Sequence, residues 1–313
     1  MIKHPVLMIG LAVLLCTAAC TKQGTVQDTE GKLNVTAVNF PAYDFVKAVA
    51  GDRVNLVMLL PPASESHSYE PTPSDILTVQ NSDIFIYTGG ESDEWVEQIL
   101  ESMDTASMDI ITLMGCVETV EEEVVEGMEE EEEEEEGPAY DEHVWTAPGN
   151  AKRIVSVITE ELAKKDGANA GVYRQNAAEY LVRLDELDAA FKAVVDGAPR
   201  KTIVLGDRFP FRYLTDAYGL SYFAAFPGCS TETEPSAATV AFLINKIKAE
   251  NIPVIFHIEL SNEKMADAIS EATGAKKLLL HACHNVSRED FENGVSYLQL
   301  QQGNVERLRE ALW

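Results

Sequence analysis

Asp83-Ile84-Phe85-Ile86-Tyr87-Thr88-Gly89-Gly90 is the stretch on which the fold of this chain turns. A short apolar run that stops at a glycine pair reads as a strand. Residues 33–39 alternate as a strand should and residues 53–60 form another, while 43–49 and 74–80 carry helical spacing. Downstream, 94–103 reads as a helix and 106–113 as a strand. Strand followed by helix, repeated, indicates α/β units with a parallel sheet. The pattern resumes later in the chain. Residues 202–205, 220–225, 253–258 and 277–281 read as strands, with helices at 211–217, 236–250 and 264–273, and a final helical stretch at 291–312 broken near Gly303. Between the two halves, 150–164 is helical, and a longer helix runs from Ala170 to Val195, stopped by Gly197-Ala198-Pro199. The expected fold class is α/β: two parallel-sheet lobes joined by one long rigid helix. The lobes are assigned to residues 33–166 and 200–313, with the linking helix at 167–199. Ligands in such folds bind outside the carboxyl ends of the strands, which places a site in the cleft between the lobes.

The remaining segments bound what the protein can do. Residues 1–19 read as a secretory signal, with a basic start, a short apolar run and small residues before a break. Thr17-Ala18-Ala19-Cys20 resembles a bacterial lipobox, with Thr17 in place of the usual leucine, so Cys20 is the expected lipidation site, Cys16 the alternative, and 20–32 a flexible tether to a membrane anchor. The hydrophobic share of 46% is ample for buried cores. A net charge of -28 excludes nucleic acid as a natural partner, since phosphate binding needs clustered Lys and Arg. Residues 118–140 form an acidic loop expected to stay disordered, with an unbroken glutamate run at 129–136. It reads either as a solvated loop or as a loose collector of cations. In an oxidising compartment Cys229 and Cys283 are expected to form a disulfide, which leaves Cys116 over. No CxxC pair points to a cysteine-based zinc site.

Six histidines are the sparse resource. His67 lies in a proline-bounded loop after the second strand, in a segment that pre-sets whatever side chain it presents. His143 precedes the helix at 150–164, and His281 closes the last strand, with His284 just beyond. Three imidazoles at the expected cleft, with a carboxylate, form an ordinary shell for Zn²⁺. His257, inside an apolar strand, reads as a satisfied core residue.

His67-Ser68-Tyr69-Glu70-Pro71-Thr72-Pro73 resembles the His-x-Tyr-Glu-Pro-Thr-Pro segment of the metal-binding lipoproteins of zinc and manganese ABC importers. Asp141-Glu142-His143-Val144-Trp145 is similar to their Asp-x-His-x-Trp segment, and Gly274-Ala275-Lys276 to the Gly-Ala-Lys before their last ligand strand. By this resemblance His67 and His143 are metal ligands from the first lobe. The chain departs from the family twice. His281 stands where an aspartate ligand is expected, and Gly206-Asp207-Arg208 where a histidine or glutamate is expected. The expected order of further ligands is His281, then Asp207, Glu259 and His284. Arg208 cannot ligate, and its expected role is an ion pair with Glu259. The resemblance implies a monomeric, lipid-anchored, extracytoplasmic receptor, not an enzyme, that binds Zn²⁺ and delivers it to an ABC permease in the cytoplasmic membrane. Mn²⁺ is the alternative cargo, disfavoured by the imidazole content. Two other readings compete. A metal-dependent hydrolase lacks any His-Glu-x-x-His motif in this chain, and a transporter-independent surface adhesin or metal scavenger would share the same lobes.

Overall fold

Ile84-Phe85-Ile86-Tyr87 is buried at every position, which explains why its sequence is apolar without alternation: it is an inner strand of a parallel sheet covered on both faces. The computed structural model describes residues 31–65, 69–128, 139–229 and 235–313. The expected signal, Cys20, His67 and the glutamate run 129–136 lie outside them. The first sheet holds β1 (Asn34–Ala37), β2 (Asn55–Met58), β3 (Ile84–Tyr87) and β4 (Asp109–Thr112), all parallel, in the order β2-β1-β3-β4. Three helices make the crossovers: α1 (Phe40–Ala50), α2 (Pro73–Gln80) and α3 (Glu94–Glu101). Their starts follow local chemistry. Asn39 accepts from Ala42 N to cap α1, and Thr72 closes a capping box with Asp75 ahead of Pro73 at the first turn of α2. Because β1 lies between β2 and β3, the chain leaves it in opposite directions, opening a crevice at the carboxyl ends of β1 and β3. Asn39 Nδ2 donates to Thr88 Oγ1 across that crevice at 2.8 Å.

α4 (Pro148–Lys165) packs beside α5 (Ala170–Asp196), whose 27 residues span about 40 Å at the usual helical rise. The buried residues of α5, from Tyr173, Ala177 and Tyr180 to Leu184, Leu187, Phe191 and Val194, form the single stripe that three- and four-residue spacing requires. Beyond it come β5 (Thr202–Val204), α6 (Arg212–Tyr218), β6 (Ser221–Phe223), α7 (Ala237–Glu250), β7 (Val254–His257), α8 (Lys264–Thr273) and β8 (Lys276–Leu279). β5 pairs with β6 and β7 with β8, both parallel, and a parallel bridge between Leu205 and Phe256 joins the two pairs. The resulting order β6-β5-β7-β8 puts a second switch point between β5 and β7.

The chain ends in α9 (Arg288–Glu292) and α10 (Tyr297–Leu312). The helical break falls at residues 293–296 and not near Gly303. Gly294 takes φ 69, and Ser296 builds a capping box with Gln299, so the stop and restart are written there. Gly303 stays helical because Gln301, Asn304, Val305 and Leu308 around it are buried.

Residues 32–313 form one unit, and one apolar cluster runs through both halves, from Val35, Phe45 and Trp145 through Phe191 to Phe211, Leu280 and Tyr297. Buried hydrogen bonds cross it: Trp145 Nε1 to Ala282 O (2.7 Å), Tyr297 OH to Trp145 O (2.6 Å) and Tyr213 OH to Asp141 O (2.7 Å). The expected disulfide is absent, because Cys116, Cys229 and Cys283 are free thiols. Cys283 is fully buried with Gln301 Nε2 donating to its Sγ at 3.4 Å, whereas Cys229 N donates to Glu122 in a different neighbourhood. Among the described residues no helix is long and apolar enough to cross a membrane.

Candidate metal centre

A small cavity of about 20 Å³ lies where the loops after β2, β5, β7 and β8 meet the segment carrying His143. Its walls include Glu65, His143, Arg208, Glu259, His284 and Asn285. His143 is 1% exposed and held by Asp141, whose Oδ1 accepts from His143 N at 2.8 Å and lies 3.1 Å from His143 Nδ1. A carboxylate against Nδ1 makes that nitrogen the donor and leaves the lone pair of a neutral ring on Nε2, the arrangement of a metal-binding histidine backed by an acid. Burial alone would lower the proton affinity of this imidazole. The carboxylates of Asp141, Glu142 and Glu122 outweigh it, and the net shift is upward. The His284 ring comes from the other half of the chain and sits edge-on to His143, 4.8 Å between centroids, and 4.9 Å from the Trp145 ring. Glu259 shapes that loop: its oxygens accept from Ala282 N at 2.7 Å and His284 N at 2.9 Å.

His281 and Asp207 occupy different positions. His281 is buried and outside the cavity lining. Its Nδ1 accepts from Cys283 N at 2.9 Å. A backbone N–H can only donate, so the proton of the neutral ring is on Nε2. Asn304 also brackets its backbone, accepting from His281 N and donating to His281 O. Asp207 lines the neighbouring cavity, with its carboxylate accepting from Arg208 N (2.9 Å) and Ile258 N (3.4 Å), and burial pushes its pKa up. The expected Arg208–Glu259 pair does not form, because Glu259 is committed to the two amides above. Arg208 Nη2 instead meets Glu65 Oε2 at 3.0 Å. His257 closes β7, mostly buried, with Nδ1 3.1 Å from Ile258 O. Among the described residues, no group of three or more His, Cys, Asp or Glu side chains stands close enough to hold an ion.

The acids behind the site carry no mark in the sequence. Glu142 is 1% exposed; its Oε1 accepts from Ser92 N at 2.8 Å, and its buried Oε2 has no hydrogen-bond partner. Burial pushes its pKa up to about 7, against the pull of Ser92 and His143. Asp93 is pushed up to about 6 by burial, although Thr88 N and Gly89 N both donate to it. Both acids line a second small cavity with Asn39, Tyr69 and His284, at the switch point of the first sheet. Gly90 takes φ 91 and lets the Glu142 carboxyl pack 2.6 Å from where a Cβ would stand. The glycine pair that ends the opening stretch therefore makes room for a buried acid. Only the neighbouring His143 could have drawn attention to Glu142.

Residues 35–311 match the family described as zinc-uptake complex component A, periplasmic. The chain is 31% identical over 310 residues to the high-affinity zinc uptake system protein ZnuA of Bacillus subtilis (strain 168), covering 98% of this chain and 97% of that protein. It is 30% identical over 307 residues to the zinc-binding lipoprotein AdcA of Streptococcus pneumoniae, covering 97% of this chain but only 60% of that relative's length. The crystal structure of the Zn(II)-bound ZnuA-like domain of that AdcA superposes with a TM-score of 0.75 at 29% identity, over 90% of this chain and 99% of the domain.

Proposed function

The chain belongs to the zinc-uptake complex component A family, and from that premise we propose that it captures Zn²⁺ outside the cytoplasmic membrane and delivers it to the permease of an ABC importer. The observation that carries this reading is the pair His143 and His284, one imidazole from each half of the chain, in van der Waals reach across a cavity at the carboxyl ends of both sheets. Their chemistry suits zinc over manganese, because neutral imidazole is a softer donor than carboxylate. The proposed ligands are His143 and His284, which line one cavity, and His67, carried over from its sequence motif alone. His284 takes the role first expected of His281, whose Nδ1 is occupied by a backbone donor. Asp207 serves its own loop. Attachment through Cys20 and a monomeric receptor complete the proposal.

Zinc is cargo here, bound and released with no covalent bond made. The deciding experiment is a competition titration of the metal-free protein with Zn²⁺ and Mn²⁺, alongside metal analysis of the protein as isolated. Zinc at one equivalent per chain, displacing manganese completely, is the expected result. Equal or tighter manganese binding would overturn the assignment of the cargo, and no binding of either would overturn the receptor.

A further inference from the structure

Residues 61–65 follow β2 and belong by sequence to the first sheet, yet among the described residues all but one of their hydrogen bonds run to the other half of the chain, the exception being Ser64 N to Pro61 O. Asn285 Nδ2 donates to Pro61 O at 2.8 Å and to Ser64 O at 2.9 Å. Ala63 N donates to Val286 O at 2.8 Å, and Arg208 Nη2 meets Glu65 Oε2 at 3.0 Å. Ala63 holds φ 69, a left-handed conformation that an alanine keeps only where its surroundings impose it. Ser64, Glu65, Arg208 and Asn285 all line the cavity that His143 and His284 line.

We propose that Arg208 and Asn285 are positioning residues that set how long a captured ion is retained, by fastening residues 61–65 across the cavity. This rests on the zinc-capture reading above. Arg208 is the informative member, because its charge argues against its being there at all. The side chain is 13% exposed beside a cation site, where Coulomb repulsion opposes a divalent ion. If that repulsion were its whole influence, removing it would slow zinc release. A latch gives the opposite sign: the loop loosens and release quickens.

Stopped-flow transfer of zinc to a chromogenic chelator separates the two. In Arg208→Met the release rate is expected to rise about fivefold, with association changed less than about twofold, since loss of a partly exposed pair is screened by solvent and acts mainly on dissociation. Release that is unchanged or slower would overturn the latch. Asn285→Ala is expected to quicken release in the same sense. A second, independent arm uses charge reversal. Arg208→Glu and Glu65→Arg should each release zinc faster, and the double variant should return to within about threefold of the parent, the signature of direct coupling. A double variant as fast as the singles would overturn the pairing. A parent protein that binds no zinc would overturn both this inference and the receptor reading, whereas normal binding with unaltered release in Arg208→Met would overturn this one alone.

Discussion

An imidazole can offer a metal only the nitrogen that carries no proton, so the hydrogen bond at the other nitrogen decides whether a buried histidine can ligate. His143 Nδ1 lies 3.1 Å from the Asp141 carboxylate, whereas His281 Nδ1 accepts the Cys283 amide N–H at 2.9 Å, with the Glu259 carboxylate farther off at 3.5 Å. Both rings are buried, and the amide decides the tautomer of the second. His143→Ala and His284→Ala are therefore each expected to weaken zinc binding by a hundredfold or more, read by competition with a calibrated chelator, as loss of a direct ligand demands. His281→Ala should leave affinity within about threefold while lowering Tm, because it removes a buried ring from the Asn304 and Cys283 network. Asp141→Asn should cost about 10- to 100-fold in affinity through the ring orientation of His143. A ligand-sized loss in His281→Ala would reverse the assignment. The histidines at 281 and 284 are both visible in the sequence. Which one reaches the cavity is set by the turn at Cys283, with its left-handed φ of 64, and by Glu259 holding the amides of Ala282 and His284. Neither contact leaves a trace in spacing.

At the scale of elements, strand and helix positions were legible because periodicity and punctuation agree. The apolar run 84–87 became an inner strand, and Thr72-Pro73 a capped helix start. Gly303 is the instructive exception. Glycine disfavours helix by local entropy, but α10 buries a full face around it, and tertiary packing outweighs local propensity. A Cβ added at Gly303 would meet only the mobile end of Arg307. Gly303→Ala is thus expected to stabilise the protein by about 0.5–1 kcal/mol, visible as a Tm rise of about 2 °C. A fall in Tm would mean that the glycine relieves a contact within α10. The disulfide reading failed for a related reason. Compartment and cysteine count permit a bridge, but only the fold decides which thiols meet. It sends Cys283 toward α10 and Cys229 toward Glu122.

Over the whole molecule, acids placed where water cannot reach them link stability to pH. Burial raises Asp44 and Asp93 to about 6 and Glu142 to about 7. A carboxyl whose pKa is higher folded than unfolded favours folding fully below its unfolded value, near 4, and that contribution is lost as pH rises through the folded value. These three acids therefore make the zinc-free protein lose stability between about pH 4 and pH 7. The opposite term comes from acids such as Asp75 and Asp166, whose pKa values lie below normal; despite some burial, they are held there by hydrogen bonds from Thr72 and from Tyr173 and Asn169. Their contribution is lost only as pH falls below the ordinary carboxylate range, so the optimum falls near pH 5. The net charge of -28 acts in the same sense as the buried acids, since protonation relieves repulsion. Thermal unfolding of the zinc-free protein should give a Tm at pH 5.5 about 5 °C above that at pH 8, given about 2–4 °C per kcal/mol for a chain of this size. Asp93→Asn keeps an oxygen for the Thr88 and Gly89 amides but cannot ionise, so it should raise Tm at pH 8 and narrow the gap. A Tm that climbs steadily from pH 5.5 to pH 8, with the Asn variant parallel to the parent, would show that these acids are ionised at no cost. Zinc reverses the trend, because capture needs deprotonated imidazoles and the raised proton affinity of His143 makes binding weaken on acidification from nearer neutral pH than an ordinary histidine would. Folded stability and metal retention thus have opposite pH optima in this one molecule, and measuring both on the same samples tests the buried acids and the ligand histidine separately.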